Sequence, residues 1–188
     1  MRNNPRLVAM ATSAGGFIAL VSLAMASPAI TSAGRNVMDK ASQSNIAEIE
    51  EGRLALTHSK NPLVKALGNR LVQDHSKAQD TLEALAAANG VKLPTKPNAK
   101  QQQEIAQLGS LEGAAFDKLF AASEVGAHRK SITEMSRATS TVKNPALEAW
   151  VKDSIPVLQQ HLQLSQNLPS QVAISRAAQA AAATPPRK

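Results

Sequence analysis

An all-α fold, a four-helix bundle, follows from three features of this 188-residue chain. Only 2% of its residues are aromatic, with no Tyr and one Trp. Its core must therefore be built from Leu, Ile, Val, Ala and Met, a composition that suits helices better than β-sandwiches. Four long segments carry apolar residues at helical spacing. Two of them open alike, on Lys60-Asn61-Pro62-Leu63 and Lys143-Asn144-Pro145-Ala146, each an N-cap residue with proline at the first helical position. The connections before both pairs are short, so each joins antiparallel neighbours. Two such hairpins bury their apolar stripes against each other.

The N-terminus reads as an export signal. "MRNNPR" is basic, "LVAMATSAGGFIALVSLAMA" is apolar, and Ala24-Met25-Ala26 fits the small-x-small cleavage pattern. Residues 1–26 are thus expected to be a signal peptide and 27–37 a linker, with cleavage near Ala26 or, at Thr31-Ser32-Ala33, near Ala33. The apolar run has about the length of a membrane-spanning helix, but Ser13, Gly15, Gly16 and Ser22 dilute it. The mature chain is expected to be periplasmic or otherwise exported. It contains no Cys, so neither disulfides nor cysteine lipidation is available.

Residues 38–168 hold the expected bundle. The first helix runs from about Asn36 to Ser59. The second starts after Asn61 and stops at Gly90. "VKLPTKP" is too proline-rich for a helix, and "NAKQQQEIAQL" forms a short one in the connection to the third, which Ser110 caps and which runs to about Ser140. The fourth opens after Asn144, contains Pro156 and stops at Pro169. The long connection permits a crossover, the arrangement of ferritin-like bundles. The Ala-rich, basic tail, 169–188, reads as disordered and solvated.

The formal charge of +7 does not indicate a nucleic-acid binder. Arg2, Arg6, Arg35, Arg176, Arg187 and Lys188 lie outside residues 36–170, where 15 Lys and Arg face 14 Asp and Glu. Neither a basic groove nor stacking aromatics can be assembled from that balance. There is no Gly-rich phosphate loop and no nucleophile in a recognisable frame, so no enzymatic activity is assigned. No partner can be read from the sequence. Envelope association and a homodimer are compatible with it, and nothing demands either.

The histidines carry the chemistry. His75 falls within the apolar stripe of the second long segment, His161 within that of the fourth, and His128 borders that of the third, where Glu124 is nearer the centre. Asp74 sits at the stripe's edge, and His58 reads as a surface or capping residue. At the helical rise His75 lies about 21 Å from Asn61 and His161 about 25 Å from Asn144. The two Asn-Pro helices are expected to start at the same end of the bundle and run parallel, so these depths match. His128 and Glu48 reach the same level, although the wheel turns Glu50 more inward than Glu48. One reading is a hydrogen-bonded cluster that fixes helix register, with Glu48 or Glu50, Asp74 and Glu124 as partners. The other is a transition-metal site of two or three His plus a carboxylate.

Several motifs, in order and spacing, resemble a known family. "AEIEEGRLA", "NPLVKALGNRLVQDH", "GAAFDKLF", Ala127-His128 and "IPVLQQHL" are similar to those of an exported bacterial ferritin-like family of unknown function, whose members are often labelled outer-membrane proteins. The resemblance covers about Met38 to Leu168 and implies a periplasmic ferritin-like bundle in which Glu48, Asp74, His75, His128 and His161 occupy typical positions. It supplies no activity. Glu51 stands where the family usually has an apolar residue. Iron-oxidising ferritin-like sites use Glu-x-x-His on two helices, whereas Val72 and Leu158 precede His75 and His161 by that interval. A di-iron oxidase is therefore not expected, and any metal would be a single His-ligated ion such as Zn, Cu or Fe.

The sequence thus favours a non-enzymatic exported helical domain, binding or structural in character, with a role in envelope stress suggested by compartment alone. The rival is a metal-binding redox or storage protein built on His75, His128 and His161, with Glu48, Asp74 and Glu124 as further candidates.

Overall fold

Asn61 and Asn144 act as the caps their positions predict. Asn61 Oδ1 accepts from the Leu63 amide at 2.9 Å, and Asn144 Oδ1 accepts from the amides of Ala146 and Leu147 at 3.1 Å. Proline at the next position forfeits no intrahelical bond. In the computed structural model, which describes residues 28–183 and the side chains of 28–174, these caps open two of five helices. The helices are α1 (Ser32–His58), α2 (Pro62–Ala88), α3 (Ala99–Gly109), α4 (Gly113–Thr141) and α5 (Pro145–Ala183). No strand occurs among the described residues.

The two hairpins, α1 with α2 and α4 with α5, pack most closely within themselves. The first is tightest at Gly52 and Gly68. A Cβ on Gly52 would lie 2.7 Å from the Gly68 carbonyl oxygen, and one on Gly68 would lie 2.7 Å from both Ala55 Cβ and the Gly52 oxygen. Only glycine lets the backbones approach this far. After Gly90, in the left-handed region at φ 63°, the chain returns along α1: Ser42 Oγ donates to Pro94 O at 2.9 Å, Gln101 to Ser44 Oγ at 3.3 Å, and His58 Nε2 to Gly109 O at 3.2 Å. This return lets α4 start beside the end of α1.

That crossover corrects the expected orientation. Leu82 and Ala86 near the end of α2 share an apolar core with Leu147, Trp150 and Val151 at the start of α5. Val64, Leu67 and Leu71 near the start of α2 share another with Leu168 and Val172. The two Asn-Pro helices therefore start at opposite ends and run antiparallel. His75 and His161 still meet, because a 27-residue helix is about 40 Å long and both histidines lie near the middle.

Three boundaries differ from expectation. Of the expected linker 27–37, the described residues 28–37 are part of the bundle: α1 starts at Ser32 under a Thr31 cap, Pro28 O accepts from Asn144 Nδ2 at 2.7 Å, and Ile30 and Val37 pack on the core. Ser110 closes α3 rather than opening α4, whose first residue Gly113 has φ 57°. The long last helix does not stop at Pro169. It continues to Ala183 with Val172 buried, so residues 169–183 are helical rather than disordered. Pro156 and Pro169 both lie inside this helix and are exposed. The expected signal peptide, 1–26, and the cut near Ala26 lie outside the described residues, as does the end of the tail, 184–188. Ala33 lies in the first turn of α1.

Candidate metal centre

Between the two apolar cores lies a polar layer. Its α1 members follow from a face that the wheel missed. Met38, Ala41, Asn45, Glu48, Gly52 and Ala55 recur at alternating intervals of three and four residues, and all are buried. Glu48 (5% exposed) and Glu51 (6%) therefore point inward, whereas Glu50 is half-buried, which reverses the sequence expectation for Glu48 and Glu50. The other helices supply His75 and Gln79 from α2, Glu124 and His128 from α4, and His161 and Ser165 from α5, all buried.

The protonation pattern of the three histidines is fixed by groups that cannot donate. His128 Nδ1 lies 2.9 Å from the Glu124 backbone carbonyl, so Nδ1 carries the proton. His161 Nε2 lies 2.9 Å from Asp74 Oδ2. Arg70 Nε donates to that same carboxylate, and its Nη2 donates to Gln160 Oε1 at 3.1 Å. The ionised Asp74 accepts, so His161 carries its proton on Nε2. His75 Nδ1 lies 3.1 Å from Asn45 Oδ1. The orientation of Asn45 is set through Gln79, whose Nε2 donates to Glu83 at 2.8 Å and whose Oε1 accepts from Asn45 Nδ2 at 3.3 Å. His75 thus donates from Nδ1.

Each ring consequently keeps one nitrogen lone pair: His75 Nε2, His128 Nε2 and His161 Nδ1. The last two face each other at 3.2 Å, where neither ring in these tautomers brings a proton to the contact, and His75 Nε2 has no hydrogen-bond partner. One ring nitrogen from each of the three histidines lies within 4.8 Å of the others, with ring centroids 5.1–5.8 Å apart. Two nitrogens bound to one tetrahedral zinc at about 2.0–2.1 Å sit about 3.3–3.4 Å apart. Outer acceptors that fix the tautomer, with lone pairs turned inward, are the arrangement of metal-binding histidines. Burial, reinforced by the neighbouring imidazoles, pushes the His75 imidazole down to about 4 despite the opposing Glu48 carboxylate. Burial also lowers His161, against the pull of Asp74. Both rings are therefore neutral, as ligands must be.

A carboxylate cluster adjoins this group. His128 Nδ1 is 3.4 Å from Glu124 Oε2 and 4.0 Å from Glu48 Oε1. Burial and then the Glu48 and Glu51 carboxylates drive Glu124 well above the usual range. Burial and Glu48 push Glu51 up to about 8. Burial alone would raise Glu48 too, but His128 and His75 hold it below its ordinary value. Asp74 is also held low, since His161 and Arg70 outweigh its partial burial.

Of the six residues singled out from the sequence, the structure places His75, His128 and His161 in one group and Glu48, Glu124 and His128 in a second. Asp74 stands outside both as the acceptor for His161. Asn45, Glu51 and Gln79 were missed. For Asn45 the signal was the three-four spacing of small and polar residues on α1, which a search for apolar stripes passes over. His58 is indeed peripheral, tilted against Phe116 with centroids 5.7 Å apart. A cleft of about 1070 Å³ between the hairpins reaches the layer, and Asn45, Glu48 and His75 are buried members of its lining.

Fold and site together define an all-helical protein with a histidine–carboxylate layer across its middle. The chain belongs to the family described as Domain of unknown function (DUF4142), whose profile matches residues 19–168. It is also similar to the crystal structure of a DUF305 fragment from Deinococcus radiodurans. That likeness has a TM-score of 0.69 and 13% sequence identity, covers 77% of this chain and 99% of that one, and concerns the fold alone. No curated protein matches the chain.

Proposed function

We propose that this protein is an exported, ferritin-like helical bundle that binds a transition-metal ion through His75, His128 and His161. The observation that carries the reading is the contact of two acceptors, His128 Nε2 and His161 Nδ1, at 3.2 Å, beside the unpartnered His75 Nε2. A buried polar atom without a partner costs about 1–3 kcal/mol, and a cation shared by the three lone pairs removes that cost at once. Three imidazoles suit zinc, copper or iron rather than calcium or magnesium. Asn45, the Glu124 carbonyl and Asp74 hold the rings, and the cleft gives the ion a path. The ferritin-like assignment is supported by the crossover, which makes α2 run parallel to α4 and α1 to α5. Export is supported by the basic-then-apolar N-terminus, and binding, storage or redox use of the ion in the envelope is consistent with it.

The competing reading is a register-setting polar cluster in which a water or a proton occupies the space between the rings. Isothermal titration with Zn(II) and elemental analysis of the purified mature protein separate the two. Metal binding is expected in the wild type and should be lost in His75→Ala and His161→Ala variants that retain their helical dichroism. Substoichiometric metal that is unchanged in the variants would leave only the structural reading.

A further inference from the structure

We propose that the layer holds two cations, the second beside the first and ligated by Glu48, Glu124 and His128. The proposal rests on the three-histidine reading above. Donor atoms of Glu48, Glu124 and His128 lie within 4.8 Å of one another, and all three residues are buried. His128 belongs to both groups, turning Nε2 toward His161 and Nδ1 toward the carboxylates. Glu124 is fully buried, and no backbone amide or hydroxyl donates to either of its carboxylate oxygens or to Glu48 Oε2; its hydrogen-bond neighbours are the carboxyl groups of Glu48 and Glu51. Among the described residues, no Lys or Arg forms an ion pair with Glu48, Glu51 or Glu124. The basic group beside them is His128, 3.4 Å from Glu124 Oε2 and 4.0 Å from Glu48 Oε1, and three buried carboxyl groups around one imidazole are stabilised by sharing protons or by holding a metal ion.

Glu51 completes the arrangement as a positioning residue, in hydrogen-bond contact with Glu124. Binding the second cation requires His128 to give up the Nδ1 proton that it now directs at the Glu124 carbonyl, 2.9 Å away. That proton, and any shared by Glu124 with its acidic neighbours, passes to solvent. The His128 ring, then an imidazolate whose negative charge the two cations share, would bridge them through its two nitrogens. The ligand set is harder than the three-imidazole one, so the two positions differ in preference: borderline ions at the histidines, and ions that accept carboxylates at the second position.

Cobalt(II) titration of the purified mature protein tests this, reading stoichiometry by elemental analysis and the first site by its visible absorption. Two ions per chain are expected in the wild type. A Glu48→Gln, Glu124→Gln variant should bind one and keep the absorption of the three-histidine site, and Glu51→Gln should weaken only the second binding step. Wild type saturating at one ion, with the absorption present, would overturn the second site and leave the first standing. No binding in the wild type would overturn both. If the double variant fails to fold, Glu51→Gln together with the wild-type stoichiometry still decides.

Discussion

His128 Nε2 and His161 Nδ1 stand 3.2 Å apart, and both present lone pairs because their partner nitrogens are committed to the Glu124 carbonyl and to Asp74. The outer partners are therefore as much a part of the centre as the rings. Replacing Asp74 with Asn removes the charge that holds His161 in its tautomer, and Asn45→Leu removes the acceptor for His75. Each should weaken zinc affinity by about 10–100-fold, as read by competition with a chromophoric chelator, with little change in helical content.

The hairpin contact makes a pair of opposite predictions for glycine. Gly126 lies mid-helix in α4, and an added Cβ there meets nothing within 4 Å. Gly126→Ala should stabilise the protein by about 0.5–1 kcal/mol through helix propensity. Gly52→Ala must force α1 from α2, since its Cβ would sit 2.7 Å from the Gly68 oxygen. It should destabilise by about 1–3 kcal/mol. Urea unfolding of the two variants measures both signs.

What the sequence disclosed follows from the kind of signal each element carries. The Asn-Pro caps are local chemistry, so both hairpins and the stop at Gly90 could be read directly. The interior positions of His75 and His161 were legible because Leu71, Leu82, Leu158 and Leu168 mark those faces plainly. The inner face of α1 was not, because close approach to α2 demands Ala41, Gly52 and Ala55, and the polar layer demands Asn45 and Glu48. Few large apolar residues remain to mark that face, while Ile46, Ile49 and Leu56 are only half-buried. Helix direction also escaped, since it depends on where the long connection travels and not on how the helices begin.

Metal-free protein should lose stability as pH rises above neutrality. Glu51 titrates at about 8 in the fold against 4.5 ordinarily, so folding favours its protonated form. That contribution is complete below pH 4.5 and is lost as pH climbs through 8. His75 behaves oppositely: at about 4 in the fold against 6.5, it contributes above pH 6.5 and loses that contribution as pH falls through 4. The two oppose each other between 4.5 and 6.5, and above 6.5 the His75 slope is spent. Denaturant midpoints of chelator-treated protein should fall from pH 6.5 to 8, and Glu51→Gln should make that fall shallower.

The last helix is a structural member beyond Pro169. Val172 is 8% exposed and packs in the core with Val64, Phe116 and Phe120. Val172→Ala should cost about 1–2 kcal/mol, whereas Ile174→Ala, at a residue 69% exposed, should be near neutral. Thermal unfolding of the two variants distinguishes a docked helix from a solvated tail.

X-ray absorption at the zinc edge of the stoichiometrically loaded protein addresses the three-histidine centre most directly. The structure predicts three imidazole ligands at about 2.0–2.1 Å, visible through multiple scattering from the rings and reduced in His75→Ala. A first shell of oxygen with no imidazole scattering would contradict it.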